Sequence, residues 1–413
     1  MSLITTWKSL RAKGIMGINQ RNADYVLRYN SRHLYPLVDD KIRTKLKAIE
    51  AGINVPPLYG IVDSEQKIGQ FEELIAGKKD FVIKPSQGAG GDGIMVISDQ
   101  FEGYYRTAGG RMLTLEDIGF HLSGTLSGIY SLGGHRDRAM VEYRVIPDSV
   151  FSAISYEGVP DIRIIVLKGY PLLAMLRLPT RQSGGKANLH QGAIGVGVDL
   201  ATGITLDGTW HNKRIQIHPD TANPVRGVQL PYWEGFMSLA TRCYELTGLG
   251  YLGVDMVLDR DKGPLMLELN ARPGLNIQIA NDTGLAARCA RVEEEIARLE
   301  AKGIEASPAK RLAFCQREFA DAGYASLSVA SSVGDSAAAD AESAAADADK
   351  KKESGAPQQD VVEPSKAASE PEPAVAVGDD SVSEELAPAA ESSAAQSKDV
   401  DVASPDTPRQ LTW

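Results

Sequence analysis

The chain has 413 residues, enough for two or three domains and a sizeable core. Its formal charge of −10 sits at one end, because residues 321–413 hold 19 acidic and 6 basic side chains and residues 1–320 are left at +3. A near-neutral body argues against a nucleic-acid platform, and no apolar run approaches the roughly 20 residues of a membrane span. Cys243, Cys289 and Cys315 are widely spaced and form no C-x-x-C pair, so neither a metal ribbon nor a disulfide framework is expected. The opening MSLITTWKSLRAKG lacks the apolar core of a secretion signal, and the chain reads as cytoplasmic.

Residues 1–40 contain a short amphipathic helix and a stretch dense in Arg21, Arg28, Arg32 and Tyr25, Tyr29, Tyr35. The plain reading is a polar cap that packs its tyrosines on the body. From Lys41, the run IRTKLKAIEAG places Ile42, Leu46 and Ile49 on one helix face, with Asp39 or Asp40 as cap and Gly52 as stop. Val55-Pro56-Pro57 leads into a strand at Leu58–Val62.

Phe81 to Ile97 reads FVIKPSQGAGGDGIMVI. An apolar strand ends on Lys84 and is stopped by Pro85. Gly88, Gly90, Gly91 and Gly93 then make a loop that no regular element can hold, before β-prone residues resume at Ile94. A flexible hairpin beside a lysine suits a polyphosphate, whose oxygens backbone N–H groups can cover. Gly88, Gly90 and Gly93 also spell G-x-G-x-x-G, but that motif must open a helix, and here a strand follows. The G-x-x-x-x-G-K pattern fails too, since Ile94 stands where lysine is needed.

The region from the hairpin to about Asp137 is polar and glycine-rich and gives no clear element. A strand is expected at Ala139–Val145, then a hairpin of Asp161–Leu167 and Pro171–Leu178 about the turn Lys168-Gly169-Tyr170. A polar loop, TRQSGGKANLHQGA, precedes an amphipathic helix at Tyr232–Leu246. Strands at Tyr251–Leu258 and Pro264–Asn270 follow, and a charged helix from Thr283 to about Ala301 closes the body. Past Ala320, Ala, Ser, Asp, Glu and Pro dominate, the composition of a disordered acidic tail.

On the last two strands Glu268 and Asn270 are two residues apart and share a sheet face, with Leu269 turned to the core. Asp255, inside Val254-Asp255-Met256-Val257, can join them from the neighbouring strand. Hard oxygen donors of this kind suit Mg²⁺, and the plain alternative is a solvated strand face. No serine or cysteine sits in a recognisable triad context.

A lysine helix, a lysine with a glycine hairpin, and Asp…Glu-x-Asn strands together resemble the ATP-grasp superfamily. DIRIIVLKGYPLLAMLRLPT and GKANLHQGA look like the pattern of RimK-type glutamate ligases, and NQRNADYVLRYNSR…YPLVDDK resembles the related α-L-glutamate ligase-like group. The resemblance covers roughly residues 14–285. It implies an α/β (α+β) ATP-grasp fold, with two subdomains gripping ATP at 41–140 and 141–305. A reduced N-terminal segment at 1–40 precedes them, and the acidic tail occupies 321–413. The family usually carries about a hundred residues ahead of its first lysine, against some forty here.

The same resemblance implies site roles. Lys41 and Lys84 would contact the nucleotide phosphates under the loop Gln87, Gly88, Gly90, Gly91 and Gly93. The strand at Glu142 and Tyr143 would read adenine through its backbone, and Asp148 is a candidate for the ribose. Arg163 and Arg177 would hold the γ-phosphate and an acyl phosphate, with Lys186, Asn188 and His190 beside the reaction centre. Asp255, Glu268 and Asn270 would bind two Mg²⁺ ions, Mn²⁺ being an admissible substitute, and Arg272 would meet a substrate carboxylate. The implied activity is an ATP-dependent carboxylate–amine ligase adding glutamate or a similar amino acid to a peptide, protein tail or small molecule. A homo-oligomer is compatible with it. A phosphotransferase and a non-catalytic nucleotide-binding scaffold are the alternatives.

Overall fold

Strand-forming runs close into two antiparallel sheets. The computed structural model describes residues 9–320 except Ala89 and Leu132, all within one compact unit. The acidic tail expected beyond Ala320 lies outside the described residues. Among those described, no helix is long and apolar enough to cross a membrane.

The first sheet contains β1 (Leu58–Val62), β2 (Phe81–Pro85), β3 (Met95–Phe101), β4 (Tyr104–Thr107), β5 (Met112–Leu113) and β6 (Ala139–Glu142), ordered β1-β6-β2-β3-β4-β5. Its core joins Phe81, Ile83, Ile97 and Val141 to Ile118 and Leu122 of the helix Leu115–Leu126. That helix, β4 and β5 fill the stretch where the sequence pattern gives no clear element. The helix begins with a capping box, Thr114 and Asp117 each bonding the other's backbone N–H.

The second sheet contains β7 (Asp161–Leu167), β8 (Tyr170–Leu178), β9 (Ile194–Val198), β10 (Thr205–Trp210), β11 (Lys213–Ile215), β12 (Tyr251–Asp259) and β13 (Gly263–Asn270). They run in the order β11-β10-β9-β8-β7-β12-β13. Lys168 (φ 45°) and Gly169 (φ 79°) make the tight β7–β8 turn, and Tyr170 already belongs to β8. The expected helices appear at Trp233–Thr247 and Leu285–Glu300. A further helix, Pro308–Phe319, lays Phe314 edge-on to Tyr170 at 5.8 Å.

Two expectations need correction. The strand AMVEYRV stops at Glu142, because the Tyr143 N–H leaves the ladder and donates to the Pro57 carbonyl at 2.9 Å. The helix Lys41–Glu50, capped by Asp40, buries Ile42, Lys45 and Ala48, whereas Leu46 and Ile49 are 42% and 49% exposed. The helix is rolled toward β6 by Lys45, which donates to the Pro56 carbonyl at 2.6 Å and pairs with Glu142 at 2.8 Å.

The N-terminal segment behaves as a cap. Its helical run Ile18–Tyr29, with a π-helical turn at Arg21–Val26, sets Tyr25 against Tyr251 at 5.9 Å. Asn30, buried, donates to the Tyr251 carbonyl and accepts the Tyr251 N–H, both at 2.8 Å. Arg21 donates to the Pro273 carbonyl at 2.7 Å, so the segment grips the turn that leaves β13.

Candidate active site

The glycine hairpin is anchored at its shoulders and bare at its tip. Gly90 and Gly91 have φ of 66° and 85° with open space where a Cβ would stand. Gly93, at φ 73°, lies so close to Tyr130 that a Cβ would meet the ring carbon Cγ at 2.4 Å. His121 stands 3.1 Å from the Gly93 carbonyl and 3.3 Å from the Tyr130 hydroxyl, and burial lowers its pKa. At the other shoulder the Lys41 ammonium donates to the Gly88 carbonyl at 2.5 Å and stands 4.0 Å from the Glu268 carboxylate. One lysine thus touches both the hairpin and the last strand of the other sheet.

Register places the charged side chains of the second sheet in one row. Arg177 lies opposite Asp161, Arg163 opposite Asp255, and Asp255 opposite Glu268. Asp161 and Arg163 are two residues apart, so all five share a face. The β12–β13 register shifts just after Asp255. Arg163 grips Asp255 with two hydrogen bonds, its Nε at 2.6 Å. Arg177 pairs bidentately with Asp161 and sends an Nη to Asp255 at 2.8 Å.

These contacts set the charge states. Against the cost of burial, Arg163 and Arg177 hold the Asp255 carboxyl well below the usual carboxylate range. Burial pushes Asp161 up to about 6, opposed by Arg177 and reinforced by the Asp255 charge. Despite burial, Asp161 and Asp255 keep Arg177 more firmly protonated than an ordinary guanidinium. Leu269 is buried between Glu268 and Asn270, which are both part-exposed, as the alternation requires. The Asn270 Oδ1 accepts the Arg272 N–H at 2.9 Å and keeps a second lone pair, while the Arg272 guanidinium lies over Tyr35 at 4.9 Å.

Beneath β2 a second charged group is built around Glu142, which is paired with both Lys84 and Lys45. Lys84 and Lys45, in that order, hold the Glu142 carboxyl low against its burial. Burial lowers the Lys45 ammonium all the same, since it shares its one carboxylate with Lys84. Composition gave no sign of Lys45 or Asp161, and each emerges only through a partner distant in sequence or across a strand.

The remaining candidates stand apart. The Tyr143 N–H is spent on Pro57, so a ring bound there would have to use other backbone groups. Asp148 caps the short turn Ser149–Phe151 through the Val150 N–H. Asn188 caps the turn Leu189–Gln191 by accepting the His190 N–H at 3.0 Å, and Lys186 and His190 are exposed on that same loop. Among the described residues no three His, Cys, Asp or Glu side chains form a ready cation site. The donors on β12 and β13 are two carboxylates and an amide. Glu268 and Asn270 are part-exposed hard-oxygen donors that suit Mg²⁺ with waters and phosphates completing its shell, whereas both Asp255 oxygens accept from Arg163 and Arg177, one of which a cation would have to displace.

No curated protein sequence matches the chain. Among solved structures the chain is similar to the ATP-grasp ligase PsnB complexed with a minimal precursor, at 15% identity over 64% of this chain and 61% of that one, TM-score 0.35. This chain therefore spans less than two thirds of that ligase. D-cycloserine synthetase DcsG is 15% identical over 64% and 73%, TM-score 0.37. D-alanine–D-alanine ligase from Bacillus anthracis is 16% identical over 66% and 71%, TM-score 0.36. A sequence profile described as sugar-transfer associated ATP-grasp matches residues 20–294, a span that takes in both sheets and every side chain of the charged row. The chain belongs to the sugar-transfer associated ATP-grasp family.

Proposed function

We propose that this chain is an ATP-dependent carboxylate–amine ligase that works through an acyl phosphate. The observation that carries the reading is the row Arg177, Asp161, Arg163, Asp255 and Glu268 on one sheet face, met by a Lys41 that also holds the glycine hairpin. A row of guanidinium and carboxylate groups facing a phosphate-covering loop suits phosphoryl transfer, where positioning and charge neutralisation do most of the catalysis.

In this scheme a substrate carboxylate oxygen attacks the γ-phosphorus, and ADP leaves. An amine nitrogen then attacks the acyl carbon, phosphate leaves with the bonding pair, and the nitrogen gives up a proton as the amide forms. Lys41 and Lys84 bind phosphate oxygens beneath Gln87 to Gly93. Arg163 and Arg177 steady the transferred group, and Asp255, Glu268 and Asn270 would hold the metal. Mg²⁺, when bound, neutralises charge on the phosphates. Glu142, Tyr143 and Asp148 border the nucleoside end, and Lys186, Asn188 and Arg272 the acceptor end.

The quoted motifs favour glutamate or a similar amino acid as one substrate. The family's association with sugar transfer adds a sugar-bearing carboxylate or amine as the class to test beside it. The test is an ADP-release screen of amino acids, sugar acids and amino sugars in pairs, with products read by mass spectrometry. Saturating Mg-ATP, at about 100 times its Kd, should add about 2.7 kcal/mol of stability. A flat melting curve against Mg-ATP, or a stable phosphoester as product, would sink the proposal.

A further inference from the structure

Three hydrogen bonds converge on a buried carboxylate to which the ligase scheme gives no part. Asp137 is 6% exposed. Its Oδ2 accepts the Gln87 N–H at 3.0 Å and the Ser131 hydroxyl at 2.7 Å, and its Oδ1 accepts the Arg138 N–H at 2.8 Å. Gln87 begins the glycine loop, and Gly88 pairs with Ser131 across an isolated bridge. The next residue, Arg138, takes the Ser86 N–H on its carbonyl at 2.8 Å and reaches Asp40 with its guanidinium at 2.6 Å. Asp40 caps the Lys41 helix and also accepts the Ser86 hydroxyl. Two neighbouring residues therefore hold the hairpin root on one side and the start of the Lys41 helix on the other.

The geometry points to Asp137 as a positioning residue for phosphate binding. It fixes Gln87, and with it the Gly88 carbonyl on which the Lys41 ammonium rests. Asp137 acts through Gln87, Gly88 and Lys41 and meets no phosphate itself. The inference rests on the ligase scheme, which assigns the hairpin and Lys41 to the nucleotide. A carboxylate is needed because only acceptors face the three donors, and the NH₂ group of an amide would turn a donor against one of them.

The test uses the full chain and measures Mg-ATP and adenosine binding by calorimetry for the wild type, Asp137→Asn and Ser131→Ala. Adenosine has no phosphates, so the phosphate contacts assigned to the hairpin drop out of its binding. Asp137→Asn should weaken Mg-ATP about tenfold and leave adenosine unchanged, and Ser131→Ala should act about two- to threefold in the same direction. Wild-type ATP affinity in Asp137→Asn, or a parallel loss of adenosine, overturns the inference. If Asp137→Asn does not fold, Ser131→Ala decides: a loss confined to ATP supports the role, and no loss refutes it. A wild type that binds Mg-ATP no better than adenosine fails earlier, and removes the ligase scheme together with this inference.

Discussion

Replacing Glu142 by glutamine leaves two ammonium groups where one carboxylate served both. Lys84 is 16% exposed and can turn to water, but Lys45, at 3%, is left with neutral acceptors alone, the Pro56 carbonyl and the glutamine amide oxygen. Removing one partner of a buried ion pair typically costs about 3–5 kcal/mol. A ceiling comes from the lysine itself, which can shed its proton. From an ordinary value of 10.5, discharging it at pH 7 costs about 5 kcal/mol, at 1.36 kcal/mol per pH unit. Glu142→Gln should therefore lower stability by about 3–5 kcal/mol at pH 7. The pH dependence has a fixed sign. In the variant the folded Lys45 lies below its unfolded value, so the unfolded chain binds more protons and stability rises with pH toward 10.5. Urea unfolding at pH 7 and pH 9 would show the deficit shrinking. Adding Lys45→Met should recover most of the loss. A deficit under about 1 kcal/mol at pH 7, or one indifferent to both pH and Lys45→Met, would refute the buried-pair reasoning.

Three further outcomes are expected. Glu268→Gln keeps size and leaves folding intact but should abolish metal-dependent ADP release, while Leu269→Ala, buried between the two candidate ligands, should cost about 2–5 kcal/mol of stability and spare turnover where folded. Thermal melts and ADP assays on the pair check this, and the alternation fails if the two phenotypes are exchanged. Gly93→Ala drives a Cβ into Tyr130 at a left-handed φ, so Mg-ATP affinity should drop at least about tenfold, and unchanged affinity in calorimetry contradicts that hairpin geometry. Asn30→Ala leaves the Tyr251 N–H unmatched and loosens the N-terminal cap; a loss of about 2–3 kcal/mol in chemical denaturation is expected, and a loss near zero would mean the cap does not depend on Asn30.

Some of this molecule is written locally. The strand, glycine loop and strand of Phe81 to Ile97 follow from Pro85 and four glycines, and the β7–β8 hairpin follows from apolar runs about Lys168-Gly169. Glu268 and Asn270 share a face because strand side chains alternate with period two, whatever surrounds them. The T-x-x-D capping box at Thr114 and Asp117 is likewise a local signal, although the glycines around it obscure the helix it opens.

The tertiary structure decided which charges meet. Helical periodicity put Ile42, Leu46 and Ile49 together, but the buried face follows Lys45, whose partner Glu142 lies on another element. Asp161 looks like an ordinary strand opening until register sets it opposite Arg177 and brings both to Asp255. Asp137 gains a role only when chain closure brings Gln87 and Ser131 to its carboxylate. Local pattern specifies a residue's direction within its own element. A buried ion pair or hydrogen bond joins residues tens of positions apart, and its partner is fixed only when the sheets assemble and desolvation makes an unmatched charge too costly to keep.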